Sequence, residues 1–420
     1  MIAAIEKPKS ILGDLVKVKI GGEFRYRFEL RHDFNFNETP ENDTINLFRT
    51  RLDMDFTLDP YLRFFVEGQD SESVAQTHIN ESTSFVDVFD IYQLYAAAKS
   101  PFKSIPIDMK VGRQTLFYGE ERFVGFNDDV WSNVAPLIDA VKVVYKPTHW
   151  LQADIFYGQP VIVERSEPDT ANHNDNLFGL YTTLGPYHEH TLDTFLFYRY
   201  NPSKDLVGEN SGDLGQLKEY TAGNRLRGKY GNFDYGAEYA VQFGSRANNN
   251  IQAWAWHNDI AYTFDTIRYK PRISFEYDHG SGDSDPHDGT VETFDNFFPG
   301  NHKLYGFIDF TSLRNIDDLK LGSQITPNSK LKLSADYHWF FLDTNKDAWY
   351  KGSGTGTIRS SSAGASKALG QEIDLLAKWQ VSKEFSLGIG YSYFLSGPFI
   401  KETGAHENPS FFYAQSQVKF

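Results

Sequence analysis

Five arginines lie at odd-numbered positions in two neighbouring stretches of the chain. Arg25, Arg27 and Arg31 fall within residues 16–31, and Arg49 and Arg51 fall within residues 46–58. A guanidinium group presents a planar fork of N–H donors, which matches a carboxylate or a phosphate better than a lysine ammonium does. This pattern favours binding of an anionic solute, such as a polymer of uronic acids.

Acidic residues share the same odd-numbered positions. Glu23 and Glu29 alternate with the first group of arginines, and Asp53 and Asp55 follow the second group. Opposite charges on adjacent strands pair across the strands and brace a wall. The arginines therefore either select a passing anion or stabilise the wall by pairing with these acids, and both roles stay open at this point.

The residues between these charges are apolar. Within 16–31 the even-numbered set includes Val18, Ile20, Phe24 and Phe28. Successive side chains of a strand point to opposite sides, so this stretch has one apolar face and one charged face. At about 3.3 Å per residue it is about 50 Å long, roughly two to three times the usual strand of a soluble sheet.

The same alternation recurs along the chain, and tight turns rich in Pro, Gly, Asn and Asp alternate with long connections. This arrangement is typical of outer-membrane barrels, whose long loops lie outside the cell. We predict an all-β, antiparallel, up-and-down transmembrane barrel of about eighteen strands over residues 15–420, after a periplasmic extension over residues 1–14. The predicted strands cover residues 16–32, 46–58, 61–70, 84–98, 105–114, 137–146, 149–160, 175–184, 190–200, 216–229, 232–244, 250–264, 269–280, 316–326, 328–341, 369–381, 384–395 and 409–420.

Two segments refine this topology. Residues 302–313 are assigned to an extracellular or inward-folded loop, because a nineteenth strand would make the count odd. The last strand ends on Phe420 in alternating register. This ending is similar to the C-terminal signal by which outer-membrane barrels are recognised by their assembly machinery.

Composition excludes several classes of function. The net charge of −15 argues against binding a nucleic-acid backbone. No stretch approaches the roughly 18 apolar residues of a membrane-spanning helix, and a mean hydropathy of −0.47 is compatible with a barrel that turns only alternate residues to lipid. The chain has no cysteine, so disulfides and thiolate metal sites are excluded. The acidic runs 38–43 and 283–288 are expected to be solvated loops, the alternative being divalent-cation binding next to lipopolysaccharide.

His302 and His338 are candidate metal ligands or general bases, because imidazole serves in both roles. Neither has a second histidine at helical or hairpin spacing, so a hydrogen-bonding role is expected for both. The sequence also lacks a motif that would place the Ser, His and acid of a barrel lipase. We therefore expect no catalytic residue, no metal and no cofactor.

Several segments resemble the alginate-export family of bacterial outer-membrane barrels. They are spread over most of the chain in the order found in that family. The resemblance implies an eighteen-strand barrel, and the family name implies export of an acidic polysaccharide. The segments are 111–125 (VGRQTLFYGEERFVG), 297–306 (FFPGNHKLYG), 336–340 (DYHWF), 370–374 (GQEID) and 390–397 (GYSYFLSG).

If the apolar faces contact lipid, the charged faces line the lumen, because Arg or Lys at the bilayer midplane costs about 2–4 kcal/mol. Arg113 departs from this rule. Met109 and Val111 set a parity that directs it outward, whereas its family-like motif indicates an inward role, which a bulge at Gly112 would allow. Alternatively, Arg113 lies above the membrane, where parity does not constrain it. The predicted lumen and solute-contacting residues are Arg25, Arg27, Arg31, Arg49, Arg51, Asp53, Asp55, Arg113, Arg225, Arg227, Glu238, Arg272, Glu276, His338, Glu372 and Asp374.

These observations predict a passive channel in the bacterial outer membrane, in contact with outer-membrane lipid and lipopolysaccharide. We expect it to pass hydrophilic, anionic solutes or an acidic polysaccharide, and we expect no nucleic-acid partner. One alternative is a dedicated uptake porin for small anions or oligosaccharides. Another is a non-conducting barrel that serves as a scaffold with an unknown partner in a larger envelope complex.

Overall fold

The computed structural model of the chain describes residues 16–39, 41–58, 61–76, 82–102, 105–127, 131–209, 213–354 and 356–420. The predicted extension over residues 1–14 lies outside the described residues. Eighteen long strands lie within them: β1 Val16–His32, β2 Asn42–Leu58, β3 Leu62–Gln76, β4 Asp87–Lys99, β5 Ile107–Gln114, β6 Ile138–Thr148, β7 Leu151–Ile162, β8 Asn176–Tyr187, β9 His190–Val207, β10 Leu214–Tyr230, β11 Phe233–Arg246, β12 Asn249–Thr263, β13 Arg272–Gly280, β14 Ile316–Asn328, β15 Leu331–Phe341, β16 Ala368–Gln380, β17 Phe385–Ser396 and β18 Ser410–Lys419.

The eighteen strands form one closed antiparallel barrel. Each pairs with its neighbour in sequence, and β1 closes the ring by pairing with both β2 and β18, so that Arg25 stands opposite Arg49 on one side and Gln417 on the other. A bilayer offers no hydrogen-bond partner to a sheet edge, and closure removes the edges. The predicted fold class and strand number are confirmed.

Short elements complete the fold. They are the strand pair Leu116–Phe117 with Gly125–Phe126, the pair Trp349–Tyr350 with Thr357–Arg359, the two-residue strands Thr170–Ala171 and Thr290–Val291, the 3₁₀ turn Asn301–Lys303 and the helix α1, Pro398–Thr403. In the part of the chain that the structure describes, no helix has the length and apolarity needed to cross a membrane. Residues 302–313 contribute no barrel strand, as the parity argument predicted.

The strand faces differ sharply in exposure. On β1, Phe24 is 45 % exposed on the outside of the barrel, whereas its neighbour Arg25 is only 4 % exposed. Rings also form a row around part of the outer wall: Tyr157, Phe178 and Tyr198 contact one another in turn, with centroids 4.6 and 5.8 Å apart. Such aromatic girdles are a feature of barrels at the membrane interface.

Three long connections turn into the barrel instead of away from it. Of the described residues, we call 115–127 with 131–137 the first inward segment, 281–315 the second and 342–354 with 356–367 the third. All three leave the barrel at the same end, which we call the long-connection end. The described links at the opposite end are shorter and include tight turns, such as the one that joins β10 to β11.

The inward segments form an apolar core within the barrel. Phe123 of the first segment packs on Phe294 of the second and on Phe195 of strand β9, with centroids 5.6 Å apart in both pairs. Phe310 of the second segment packs in the same way on Phe394 of β17 at 5.6 Å. Burial of this aromatic surface fixes the segments against the wall.

Gly244 on β11 provides a test of the strand geometry. It has a φ angle of +138°, and a Cβ atom there would lie 1.9 Å from the carbonyl oxygen of Lys218. We predict that Gly244→Ala lowers the free energy of unfolding by about 1–3 kcal/mol, because alanine is strained in this backbone region. Urea unfolding in lipid vesicles, followed by tryptophan fluorescence, measures the change.

Gly388→Ala on β17 is the matched control, because the nearest atom to its Cβ would be a Tyr413 ring carbon at an ordinary 3.7 Å. Equal stability changes in the two variants would contradict the assigned backbone conformation at Gly244.

Candidate functional site

Arginines of β1 hold the first inward segment against the lumen wall. The Nη2 atom of Arg25 donates to Oδ1 of Asn133 at 3.0 Å, and Nη1 of Arg27 donates to the carbonyl oxygen of Trp131 at 2.5 Å. The guanidinium carbon of Arg27 lies 3.6 Å from the centre of the Trp131 ring. Asn133 is fully buried and donates in turn to the carbonyl oxygen of Phe48 on β2 at 2.9 Å. Arg25 and Arg27 therefore anchor a loop.

The two arginines of β2, Arg49 and Arg51, contact polar residues of the wall. Arg49 donates through Nε to Oε1 of Glu23 at 2.9 Å, and Arg51 donates through Nε to Oε1 of Gln69 at 2.6 Å. Arg49 is 1 % exposed, so this pair is shielded from water. Burying a charge is tolerated when it is paired and hydrogen-bonded, as here.

The acids of β2 and the last arginine of β1 lie nearer to solvent. Asp55 accepts a hydrogen bond from Nε of Arg63 at 2.8 Å, whereas Asp53 is half-buried next to Gly21. Arg31 donates through Nη2 to Oε2 of Glu29 at 2.8 Å. Its guanidinium lies close to an open cavity described below.

A second anchor of the first inward segment lies on the opposite wall, at Arg122. Its Nε is 3.2 Å from Oδ1 of Asp278 on β13 and 3.9 Å from Oε2 of Glu238 on β11, and its Nη2 is 2.6 Å from Nδ1 of His257. Burial lowers the pKa of Arg122, but the Asp278 carboxylate and its neighbours outweigh burial, so the pKa stays above its ordinary value. Arg122 is therefore a permanent cation at the centre of a buried charge cluster.

Four further predicted residues cluster near the turn between β10 and β11 and the neighbouring strands. Arg225 pairs with Asp193 at 3.3 Å and with Glu120 of the first inward segment. Arg227 is exposed, and its side chain has no hydrogen bond or ion pair within the described structure, although its backbone is part of the ladder. The remaining two form pairs: Arg272 with Asp234 at 2.5 Å, and Glu276 with Lys320 at 2.5 Å.

The last three predicted residues lie together on β15 and β16. His338 is 2.8 Å from Oδ2 of Asp318 through Nδ1, and its Nε2 is 3.7 Å from Oδ2 of Asp374. Glu372 is 1 % exposed and accepts a hydrogen bond from the backbone N–H of Ile308 at 2.9 Å. Glu372 therefore holds the second inward segment to the wall, whereas His338 and Asp374 join neighbouring wall strands, and all three are buried.

Arg113 differs from its predicted lumen position. The ladders on both sides of Gly112 keep a regular register, so no bulge reverses the side-chain parity. Arg113 stays on the outward parity of Val111 and binds both oxygens of Asp139, at 3.0 and 3.2 Å. It is a rim residue of the outer wall. The φ of +121° at Gly112 is accommodated without a register shift.

The interior holds two cavities on either side of the second inward segment. The lower cavity, of about 600 Å³, lies toward the short turns and carries both signs of charge, whereas the upper cavity, of about 1120 Å³, opens at the long-connection end. Charged residues of the lower cavity are Arg122, Arg225, Arg227, Arg272, Lys303, Lys320, Glu120, Glu189, Asp234, Asp259 and Glu276. Those of the upper cavity are Arg31, Lys351, Arg359 and Asp309.

The partition between the cavities is built from rings. Trp131 stacks on His302 with centroids 4.1 Å apart, and His302 meets the ring of Phe307 at 4.4 Å. His302 also contacts Oδ2 of Asp309 through Nδ1 at 2.8 Å, so its predicted hydrogen-bonding role matches the contact observed. Together with the Arg27 guanidinium on the other face of Trp131, these rings form a layered stack across the lumen.

Sequence reasoning missed the residues on the inward segments. Arg122 lies inside the family-like segment 111–125, and that membership was the available signal. Trp131, Lys351 and Arg359 lie in connections without periodicity, so no pattern marks the direction in which they turn. The parity rule predicts the direction of a side chain only where the backbone is an extended strand.

Comparison with known proteins identifies the family of this chain. A family model described as alginate export matches residues 16–414, nearly the whole chain. The chain belongs to the alginate export family. No curated protein matches it significantly. The family and the barrel architecture together support a porin-like passive channel for hydrophilic substrates, and they point to a transporter and not to an enzyme.

Solved structures of outer-membrane channels share the fold of this chain. Pseudomonas aeruginosa OpdO matches with a TM-score of 0.63 and 12 % identity over 96 % of this chain and 97 % of that one. Acinetobacter baumannii OccAB2 matches with a TM-score of 0.63 and 9 % identity over 96 % and 98 %. Pseudomonas aeruginosa OccK8 (OprE) gives 0.59 and 12 % over 96 % and 98 %.

Replacing Arg122 tests the anchoring of the first inward segment. We predict that Arg122→Met lowers the free energy of unfolding by about 3–5 kcal/mol, because it leaves the carboxylates of Asp278 and Glu238 buried without their cation. Urea titration of the barrel in vesicles measures the loss. Lys303→Met is the control: Lys303 is half-exposed and 3.1 Å from Glu121, and such a pair is worth at most about 1 kcal/mol. Similar small losses in both variants would contradict the anchoring role.

Asp283 connects the second and third inward segments. Its backbone N–H donates to Oδ2 of Asp347 at 3.1 Å, and burial, with a smaller effect of Glu209, raises the pKa of Asp283 to about 6. Because this folded-state pKa exceeds the ordinary value of 3.8, the Asp283 carboxyl contributes most to the stability of the folded segment below pH 3.8, and this contribution is lost as the pH rises through about 6.

We predict that hydrogen-exchange protection of residues 281–292, corrected for intrinsic exchange, falls between about pH 4 and about pH 7. Asp283→Asn removes the titrating group and should abolish most of that decrease. A wild-type protein with equal protection at both pH values, or a variant with an unchanged pH dependence, would contradict this assignment.

Proposed function

We propose that this protein is a passive channel of the bacterial outer membrane that passes small hydrophilic anions. Its long connections face the cell exterior and its short turns face the periplasm, as in other barrels of this class. The outward aromatic row and the apolar outer face support contact with outer-membrane lipid. The exposed polar rim at the long-connection end fits the headgroup region, where we expect lipopolysaccharide.

The charge of the upper cavity carries the preference for anions. Among the described residues of its lining, Arg31, Lys351 and Arg359 are basic, and Asp309 is the one carboxylate. Asp309 is also in contact with His302. A cleft lined by one sign of charge within low-dielectric walls raises the local concentration of the opposite ion. The upper cavity thus acts as an entry that collects anions before the partition.

Aromatic rings lie beside these cations. The guanidinium of Arg31 is 5.3 Å from the centres of the Phe34 and Phe85 rings, and that of Arg359 is 5.5 Å from the centre of Phe36. Rings on one face limit the hydration of a guanidinium. Nε and Nη2 of Arg31 donate to Glu29, so its remaining N–H groups are the ones that would bind a carboxylate solute. This arrangement supports recognition of carboxylate solutes.

The size of the interior favours small solutes over a polymer. The second inward segment and Trp131 lie between two cavities of about 1120 and 600 Å³. Passage between the cavities would require movement of the ring stack of Trp131, His302 and Phe307. Export of an acidic polysaccharide, which the family description implies, would require displacement of the packed aromatic core as well.

Planar-bilayer recordings test this function. The triple variant Arg31→Gln, Lys351→Gln, Arg359→Gln should lower the chloride-to-potassium permeability ratio by about threefold or more, because removal of three cations weakens the field at the entry. Reversal potentials in a potassium chloride gradient measure the ratio.

Lys401→Gln is the control, since Lys401 is an exposed cation on α1 outside the cavity lining. It should leave the ratio within the error of the wild type. An open pore whose ion preference is the same in wild type and triple variant would contradict the anion function. A wild-type barrel that inserts without any conductance would favour the scaffold alternative.

A further inference from the structure

The lining of the upper cavity includes apolar surface that a small hydrated ion does not need. Phe34, Phe85, Phe307 and Ile358 line this cavity and are half-buried, so part of each side chain remains accessible there. Contact between apolar surface and water is unfavourable. A chloride ion keeps its own hydration shell and would not cover these side chains. Sites for organic ligands, in contrast, combine an apolar lining with a few placed polar groups.

Arg31 places a positive charge among the rings of this lining. Its guanidinium carbon is 5.3 Å from the ring centres of both Phe34 and Phe85, and 6.0 Å from the ring centre of Phe411. Its side chain is 20 % exposed. Because Nε and Nη2 donate to Glu29, Nη1 is the nitrogen left for a solute. We call Arg31 with Phe34 and Phe85 the ring-flanked arginine.

The ring beside Arg359 does not offer a comparable surface. Phe36 is only 2 % exposed. The rings of Phe310 and Trp349 cover it, with centroids 5.0 and 5.9 Å from its own. Phe36 is therefore part of the aromatic core, and the ring-flanked arginine is the place where an available N–H group and accessible rings meet.

We propose that the ring-flanked arginine binds aromatic monocarboxylates, such as benzoate, in preference to small aliphatic anions. The carboxylate of the solute accepts a charge-assisted hydrogen bond from Nη1 of Arg31. Its ring packs on Phe34 and Phe85 in the offset or edge-to-face arrangements that aromatic pairs prefer. Asp309 is an acid of the same lining and disfavours a second carboxylate on the solute. This inference rests on the proposed anion function and names the class of anion within it.

A further ring awaits such a solute at the partition. Phe307 lines the upper cavity and also contacts His302 of the ring stack, with centroids 4.4 Å apart. An aromatic solute that leaves the ring-flanked arginine can therefore exchange one ring contact for another at the partition. Recognition at the entry and contact at the partition then use the same apolar part of the solute.

Block of the chloride current in planar bilayers tests the preference. Benzoate, acetate or the neutral benzamide is added at the long-connection side, and the concentration that halves the current is determined. We expect this concentration to be at least about tenfold lower for benzoate than for acetate, because acetate has no ring to pack on the phenylalanines. Benzamide should not block in the benzoate range, because it lacks the carboxylate that Arg31 binds.

Phe85→Leu tests the contribution of the rings. Leucine keeps an apolar side chain at this position but removes the aromatic face. We expect the half-blocking concentration of benzoate to rise about threefold or more, while that of acetate stays unchanged. Phe65→Leu is the matched control, because Arg63 also lies 5.3 Å from the ring centre of Phe65, which lines neither cavity. It should leave both concentrations unchanged.

The outcomes separate this inference from the function on which it rests. Equal block by benzoate and acetate in an anion-selective wild type would overturn the inference and leave the proposed function standing. An equal effect of Phe85→Leu and Phe65→Leu on block by benzoate would also overturn it. A conducting wild type without preference for anions would contradict the proposed function itself.

Discussion

Each strand of this barrel must satisfy two surroundings at once. Lipid accepts only apolar side chains on the outer face, and the closed ladder leaves no free backbone group at that depth. Strand parity then forces every alternate residue inward, which places Arg25, Arg27 and Arg49 inside the wall. The inward segments fill much of the interior, so these charges lack bulk water and need partners. The rest of the architecture follows from that requirement.

The partners come from the loops as well as from the wall. Arg27 holds Trp131 from one side of the lumen, and Arg122 enters an acidic cluster on the other side. The first inward segment is thus fixed at both walls and supports the ring stack that divides the interior. Most of the arginines are paired with acids or hold the loops, including Arg225 and Arg272 in the lining of the lower cavity. Arg227 faces that cavity without an ion pair, and Arg31 borders the upper cavity.

The wall was predictable because its rule is local. Alternation over residues 16–31 predicts β1 from neighbours two positions apart, and the same rule gives all eighteen strands. The parity rule also places Arg113 correctly, and the lumen assignment failed where motif membership was given precedence over it. Contacts such as Arg25 with Asn133 join residues 108 positions apart, through a segment with no periodicity. Nothing in the sequence pattern specifies where such a segment packs, and for this reason the two cavities and their linings had to be observed.

The central claim is that the upper cavity is the anion-collecting entry of a conducting pathway. The chain has no cysteine, so Ser361→Cys places a single thiol in the lining of that cavity, at an exposed position. Anionic and cationic methanethiosulfonate reagents of similar size are added at the long-connection side while single-channel current is recorded. The account predicts that modification reduces the current and that the anionic reagent reacts several times faster. Modification that leaves the current unchanged, or faster reaction of the cationic reagent, would contradict it.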